Sequence, residues 1–257
     1  MQTIEFDGLV PDWPAPPNVR ALCTSRKGGG SVGPYAGLNL GLHVGDDPHA
    51  VEGNRRQLQA AIGVRAVFLN QVHGVHVAAI DAQSPDGMVA DGAVTAVIGL
   101  ACTVMVADCL PVLLCDAQGR AAAAAHAGWR GLLGAGGQGV LEAAVASLGE
   151  RVPPQGLMAW LGPCIGPAAF EVGDEVRAAF GADSARAAAC FKAHAQGKWL
   201  ADLPGLARQR LSALGVEGIY GNDGSQPWCT VANPSRFFSH RRDAVSGRLA
   251  ACIWRIV

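Results

Sequence analysis

The stretch from Val94 to Cys115 constrains this chain most: it is apolar and β-branched except at Ala107-Asp108-Cys109. Side chains of this kind are stiff in a helix and pack well on a pleated surface, so the stretch predicts buried strands. Pro111 cannot donate within a central ladder, which splits the run into two strand segments joined by a bend, with Asp108 and Cys109 at the bend. Asp116 to Gly119 then makes a turn, and AAAAAH leads into GWRG and a helix with Val140, Leu141, Ala144, Val145 and Leu148 at core positions. Five alanines suit a helix on propensity alone. Their place between a turn and a glycine-rich helix entry favours a closely packed strand.

The same grammar extends in both directions. Pro11 to Pro17 forms an extended lead-in, Val19 to Ser25 a strand, and Asp47 to Ile62 an amphipathic helix with Val51, Leu58 and Ile62 at helical spacing. Ala66 to Leu69 and Val75 to Ile80 are short apolar runs around the polar insert NQVHG, which puts His73 at a break between strands. Further on, MAWLGPCIGP reads as a strand and turn, and Val172, Val176 and Phe180 as one helical face. Leu203 to Leu214 reads as a helix, GVEGIYG as a strand, CTVANPSRFFSHRRD as irregular, and LAACIW as a closing strand. Strands alternating with helices place the chain in the α/β class. With no linker and no strict repeat, residues 1–257 read as one domain.

Half the residues are apolar and 16% are charged, as in a packed globule. Twenty basic and 21 acidic residues leave a net charge of -1, so no global field attracts nucleic acid or an anionic membrane. The eight cysteines are scattered through apolar stretches of a chain too long to need stapling, which predicts buried free thiols and a reducing compartment. The opening MQTIEFDGLVPDWPAPP lacks a basic segment followed by an apolar one, and no uncharged apolar run reaches about 18 residues, so the expected location is the cytoplasm. The glycine-rich RKGGGSVGPYAG has the look of a binding loop, but it carries no phosphate-cradling pattern and reads equally as a surface connection.

His73, Cys109 and His126 each stand where an apolar run gives way to a turn or helix, so their side chains can converge at one sheet edge. Thiolate and imidazole are preferred zinc ligands, and a Cys-His-His set leaves a fourth tetrahedral position open, the arrangement of a catalytic site. Their separations of 36 and 17 residues match no clustered metal motif. From spacing alone, core or turn histidines and an inert buried thiol explain them as well.

The segments GPYAGLNLGLHVGDD, NR at 54–55, FLNQVHG, ADCLPVLLCD, AAHAGWRGL, AWLGPCIGP, FEVGDEV, KWLADL and FFSHRRD, with GR at 247–248, resemble the YfiH family, known variously as laccase-domain, polyphenol oxidase or purine nucleoside phosphorylase proteins. The match runs from about residue 20 to the C-terminus, with NQVHG, ADC-x-P and HAGWRG intact. The resemblance implies a CNF/YfiH-like α/β/β/α sandwich of two mixed sheets from duplicated β-α-β units, with zinc held by His73, Cys109 and His126. It also implies phosphorolysis of adenosine, guanosine, inosine and methylthioadenosine, deamination of adenosine, and a monomer or weak homo-oligomer binding purine nucleosides and phosphate.

Phosphorolysis needs a phosphate beside the sugar carbon, for which guanidinium forks are natural partners, so Arg55, Arg130 and Arg241 are candidates. Arg55 is the first choice, from its motif beside the glycine-rich loop. Asn39 and Gln71 are the polar residues expected near the ligand, Gln71 because it shares a strand face with His73. Asp108 is a candidate to orient a ligating histidine, although alternation along an extended strand points it away from Cys109. Trp129 can stack on a base but suits core packing better, Cys164 reads as turn packing, and Phe237, Phe238, Arg241 and Arg242 read as a local contact or a structural edge.

Three rival readings stand beside this one. Cys109 activated by His126 makes a thiol hydrolase. The family also contains a candidate role in editing cell-wall precursors, which shares the same site. Copper, in a polyphenol oxidase, is the weakest reading, since a multicopper centre needs many histidines and the chain has seven.

Overall fold

A computed structural model describes residues 7–149, 153–183 and 185–257; the reading of the first six residues as free of a leader lies outside them. The chain begins with β1 (Gly8–Leu9), β2 (Val19–Thr24), α1 (Pro48–Ile62), β3 (Arg65–Phe68), β4 (Val77–Ala79) and β5 (Gly92–Thr95). Next come β6 (Leu100–Val106), β7 (Leu110–Asp116), β8 (Ala122–Ala127), α2 (Trp129–Leu133), α3 (Val140–Gly149) and β9 (Leu157–Leu161). The remainder is β10 (Glu171–Gly173), α4 (Asp174–Asp183), α5 (Ala185–Ala188), β11 (Phe191–Ala195), β12 (Lys198–Ala201), α6 (Leu203–Ala213), β13 (Gly218–Gly221), α7 (His240–Asp243) and β14 (Leu249–Arg255).

Two large mixed sheets result, ordered β1-β2-β14-β6-β3 and β13-β9-β7-β8-β5-β4, with a small β10-β12-β11 sheet beside them. The expected bend at Asp108 is where the chain leaves one large sheet for the other, since β6 and β7 belong to different sheets. The break at NQVHG does the same between β3 and β4. These two crossovers bring His73 and Cys109 to the same rim of the sandwich.

Alternation along the strands builds the layers. In β6, Leu100, Cys102 and Val104 face the other sheet, where Leu113 and Cys115 of β7 and Ala122 and Ala124 of β8 meet them. Ala101 and Met105 point outward with Phe68 and Trp254, and Leu58 of α1 covers them. On the other side Val112, Leu114, Ala123 and Ala125 lie under Leu141, Ala144, Val145 and Leu148 of α3 and Leu206 of α6. The outcome is the α/β/β/α sandwich. The alanine run is a strand, as its context suggested, and its small side chains let a helix sit close over it.

Helix α1 forms where its caps predict: Asp47 accepts from the His49 N–H at 3.0 Å, Pro48 opens the helix, and Gly63 at φ 72° closes it. Two expectations need correction. Val172 lies in β10, paired with Trp199 of β12, and the helix starts only at Asp174. Val172 shares a core cluster with Val176 and Phe180, so the four-residue spacing followed burial and not a single helix. The stretch from Trp129 onward holds two helices and not one, because Gly134 at φ 63° ends α2 before α3 begins. Among the described residues no helix is long and apolar enough to cross a membrane.

Candidate metal centre

Both crossovers carry backbone strain. His73 has φ 60° and Asp108 φ 99°, a region that costs a residue with a side chain about 1–2 kcal/mol. Buried aspartates hold each turn in place. Asp91, just before β5 and fully buried, accepts the N–H groups of Val72 at 3.2 Å, His73 at 2.9 Å and Gly74 at 2.7 Å. The same carboxylate accepts Nδ1–H of His126 at 2.9 Å, which fixes that ring's tautomer and turns its Nε2 toward the cavity. Asp108 accepts from the Thr230 hydroxyl and from the Arg241 N–H, both at 2.6 Å. Asp91, not Asp108, is therefore the carboxylate that orients a candidate ligand.

The candidate ligand atoms of His73, Cys109 and His126 lie within 4.8 Å of one another. Cys109 Sγ is 3.7 Å from His73 Nε2, and the two imidazole rings stand edge to face with centroids 4.8 Å apart. Bonds of 2.0–2.3 Å to a tetrahedral ion separate ligand atoms by about 3.5 Å, so a small contraction closes this set on a metal. Two glycines clear the space. A Cβ on Gly128 meets Cys109 Sγ and His73 Cδ2 at 3.0 Å, and one on Gly131 meets the Gly74 carbonyl at 2.7 Å. HAGWRG thus supplies one candidate ligand, room for the other two, and close seating of α2 on the His73 turn.

All eight cysteines are free, and Cys109 differs from the rest. Burial raises the thiol of Cys115 to about 12 and that of Cys190 to about 11. Burial works on Cys109 too, but His126 and His73 outweigh it and draw the thiol down to about 6. Burial likewise disfavours the imidazolium of His126, and Cys109 and Asp91 reverse this, raising it to about 9. Without metal the two form a thiolate–imidazolium pair, and a thiolate is the form a metal binds.

The cluster lies in a cavity of about 440 Å³, lined also by Trp129, Phe170 and a set of basic side chains. Arg130 lines it with its guanidinium 4.3 Å from the Trp129 ring centre, and Arg241 does so while donating to the Glu171 carbonyl at 3.1 Å. Gln71 lines it too, yet its amide is engaged by the backbone of Met105, 2.8 Å from the carbonyl and 2.7 Å from the N–H, where it prolongs the pairing of β3 with β6. Asn39 and Arg55, expected near the ligand, do not line the cavity. Asn39 is fully buried, and Arg55 stacks 3.9 Å from the Phe68 ring centre with its Nε–H on the Leu40 carbonyl at 3.0 Å. Phe237 and Phe238 are core residues, not a surface.

Asp91, His43, His240 and Arg248 are the cavity or support residues that sequence reasoning passed over. Asp91 had one signal, a lone acid opening the apolar run DGAVTAV. His43 and Arg248 sat inside motif segments without an assigned role.

A family model described as multi-copper polyphenol oxidoreductase laccase matches residues 20–256. The chain belongs to this family. Within the family, the purine nucleoside phosphorylase PA4543 of Pseudomonas aeruginosa is 51% identical over 247 residues, covering 96% of this chain and 97% of that protein. The purine nucleoside phosphorylase YfiH of Escherichia coli is 48% identical over 250 residues, covering 96% and 98%. Among solved structures, Neisseria meningitidis protein NMB0706 superposes with a TM-score of 0.90 at 48% identity, over 98% of this chain and 100% of that one. YlmD from Geobacillus stearothermophilus does so with a TM-score of 0.85 at 31% identity, over 94% and 93%.

Proposed function

We propose that this chain is a zinc-dependent purine nucleoside phosphorylase acting on adenosine, inosine, guanosine and methylthioadenosine, and that it also deaminates adenosine. The convergence of His73, Cys109 and His126 at the floor of a basic, aromatic-walled cavity carries the reading. Full-length relatives named purine nucleoside phosphorylases support it. One thiolate with two imidazoles suits zinc, which when bound supplies Lewis acidity at an open fourth position. Copper in a multicopper oxidase requires further histidine clusters, and among the described residues this is the one such group.

In phosphorolysis a phosphate oxygen bonds to C1′ of the sugar while the C1′–N9 bond breaks and the base leaves with the electron pair. Trp129 and Phe170 offer faces for the purine, and Arg130 and Arg241 offer guanidinium forks for phosphate. Asp91 keeps His126 and the His73 turn in place through the cycle. Seven buried cysteines, all free, suit a reducing cytoplasm.

One observation favours a second reading. Asp91, His126 and Cys109 run in series, with the thiol drawn down to about 6, which is the order of a cysteine hydrolase. Zinc-loaded protein incubated with adenosine, with and without phosphate, separates the two once products are resolved by chromatography. Adenine formed only with phosphate, and inosine formed without it, support the phosphorylase and deaminase when Cys109→Ala makes neither. If the zinc-loaded wild type makes neither product, the nucleoside reading is overturned; turnover by metal-stripped protein that iodoacetamide abolishes supports the hydrolase.

A further inference from the structure

We infer that Arg248 and His43, together with Arg241, form a phosphoryl-binding subsite beside the His73–Cys109–His126 cluster. That the phosphoryl group is a co-substrate rests on the nucleoside phosphorylase reading; the existence of the subsite does not. Arg248 is fixed from several sides. Its guanidinium donates to the carbonyls of Ser246 at 2.8 Å and Gly247 at 3.1 Å, and its backbone N–H donates to Asn39 Oδ1 at 2.8 Å. Its stem lies against Gly41, where a Cβ falls 2.7 Å from Arg248 Cγ. The Leu40 N–H returns a bond to the Arg248 carbonyl at 3.1 Å, and Arg55 grips the Leu40 carbonyl from beneath. Asn39 and Arg55 thus lock the segment carrying His43 to the one carrying Arg248.

The charge balance points to an anion. Among the described residues no carboxylate oxygen lies within 4.0 Å of the Arg248 guanidinium, whereas Arg55 has Asp86 at 3.8 Å and Arg242 has Asp243 at 2.7 Å. Burial holds Arg248 below the usual arginine value, a desolvation cost that Cys109 and Asp108 offset only in part. Arg130 and Arg241 line the same cavity, and its one lining carboxylate, Asp108, has its oxygens bonded to Thr230 and to the Arg241 backbone. Burial, then Arg248, keeps His43 below the ordinary imidazole value, so near pH 7 it serves as an uncharged donor. Several guanidinium groups exceed what one carboxylate neutralises, and the neutral nucleoside offers them no charge. A phosphoryl group, doubly charged and able to take bidentate forks, matches them.

Free phosphate and the phosphate of a nucleoside monophosphate share this chemistry. Calorimetric titration of zinc-loaded wild type, Arg248→Ala, Arg248→Lys and His43→Gln with inorganic phosphate and with adenosine monophosphate tests the subsite, with melting curves and zinc content confirming that each variant is folded and loaded. Phosphate affinity is expected to fall roughly 10- to 100-fold in Arg248→Ala and less in Arg248→Lys, with the KM for phosphate in phosphorolysis rising in step and the KM for adenosine moving less than about threefold. Tighter binding of the monophosphate than of phosphate assigns the group to the nucleotide and still supports the subsite. A folded Arg248→Ala with wild-type phosphate affinity overturns it, and if that variant does not fold, unchanged affinity in His43→Gln does so. Phosphate binding by a wild type that performs no phosphorolysis defeats the proposed function and leaves the subsite standing.

Discussion

Two buried aspartates sit at opposite ends of strand β8 and spend their oxygens in different ways. Asp116, at the β7–β8 turn, accepts the N–H groups of Gln118 at 3.3 Å, Arg120 at 2.6 Å and Ala121 at 3.1 Å, and the Arg120 Nε–H at 2.9 Å. Every partner lies within five residues, so the carboxylate closes a hairpin and nothing more. Asp91 gathers its N–H partners from Val72 to Gly74, on the far side of β4, and gives its remaining bond to His126, on β8. It ties a crossover between the sheets to a side chain aimed into a cavity. A buried carboxylate is thus evidence of a site only when one of its bonds goes to another functional side chain.

The contrast breaks hardest at Cys109. Cys109→Ala removes a proposed ligand without touching either aspartate, so bound zinc is expected to fall below about a tenth of wild type and adenosine phosphorolysis at least about 100-fold, with little change in melting temperature. Elemental analysis of the purified variant beside the chromatographic assay checks this. Full zinc occupancy in the variant removes the metal site from the account.

Asp91→Asn comes next. The amide keeps the shape but points donors at donors, so zinc affinity, measured by competition with a chromophoric chelator, is expected to drop roughly 10- to 100-fold, with some loss of stability. Unchanged affinity makes Asp91 equivalent to Asp116. For its part, Asp116→Ala is expected to cost about 1–3 kcal/mol in denaturant unfolding while leaving zinc affinity alone. Although burial pushes the Asp116 carboxyl up, Arg120 and the backbone N–H groups outweigh it and hold the folded value below the ordinary one. Its stabilising contribution is therefore complete above the unfolded value, about 3.9, and is lost as pH falls through the lower folded value. The gap between wild type and variant should be full at pH 7 and shrink below about pH 4.

The same division explains what could be read before the structure. His73, Cys109 and His126 were legible as candidates because each is a polar residue at the end of an apolar run, but position alone left them open to bland readings, and the family motifs singled them out as a set. The α/β class was legible from the alternation of buried strands and amphipathic helices, while the sandwich itself came only with the family resemblance. Asp91 was not legible, because its partners lie 17 to 35 residues away and leave no period in the sequence. The β11–β12 hairpin was hidden by exposed, alanine-rich strands that lack β-branched residues, with only Phe191 and Ala201 buried at its ends. Asn39 and Arg55 lie off the cavity they were expected to line: their motif segments border it, but their polar atoms turn inward to hold the loop that reaches it.

Arg55 offers the smallest expected effect. Arg55→Met keeps an unbranched stem against Phe68 but removes the bond to Leu40 and the 3.8 Å ion pair with the half-exposed Asp86, for a loss of about 1 kcal/mol in unfolding. A buttress acts through the loop it supports, so kcat and the KM for adenosine should stay within about threefold of wild type while the KM for phosphate rises by at most about fivefold, through a looser His43–Arg248 unit. A residue that touches the reacting atoms shows the opposite split, with kcat falling by orders of magnitude. Steady-state kinetics in both substrates separates the two cases, and a folded, zinc-loaded Arg55→Met with a 100-fold loss of kcat would return Arg55 to the chemistry and erase the distinction between residues that hold the loop and residues that meet the ligand.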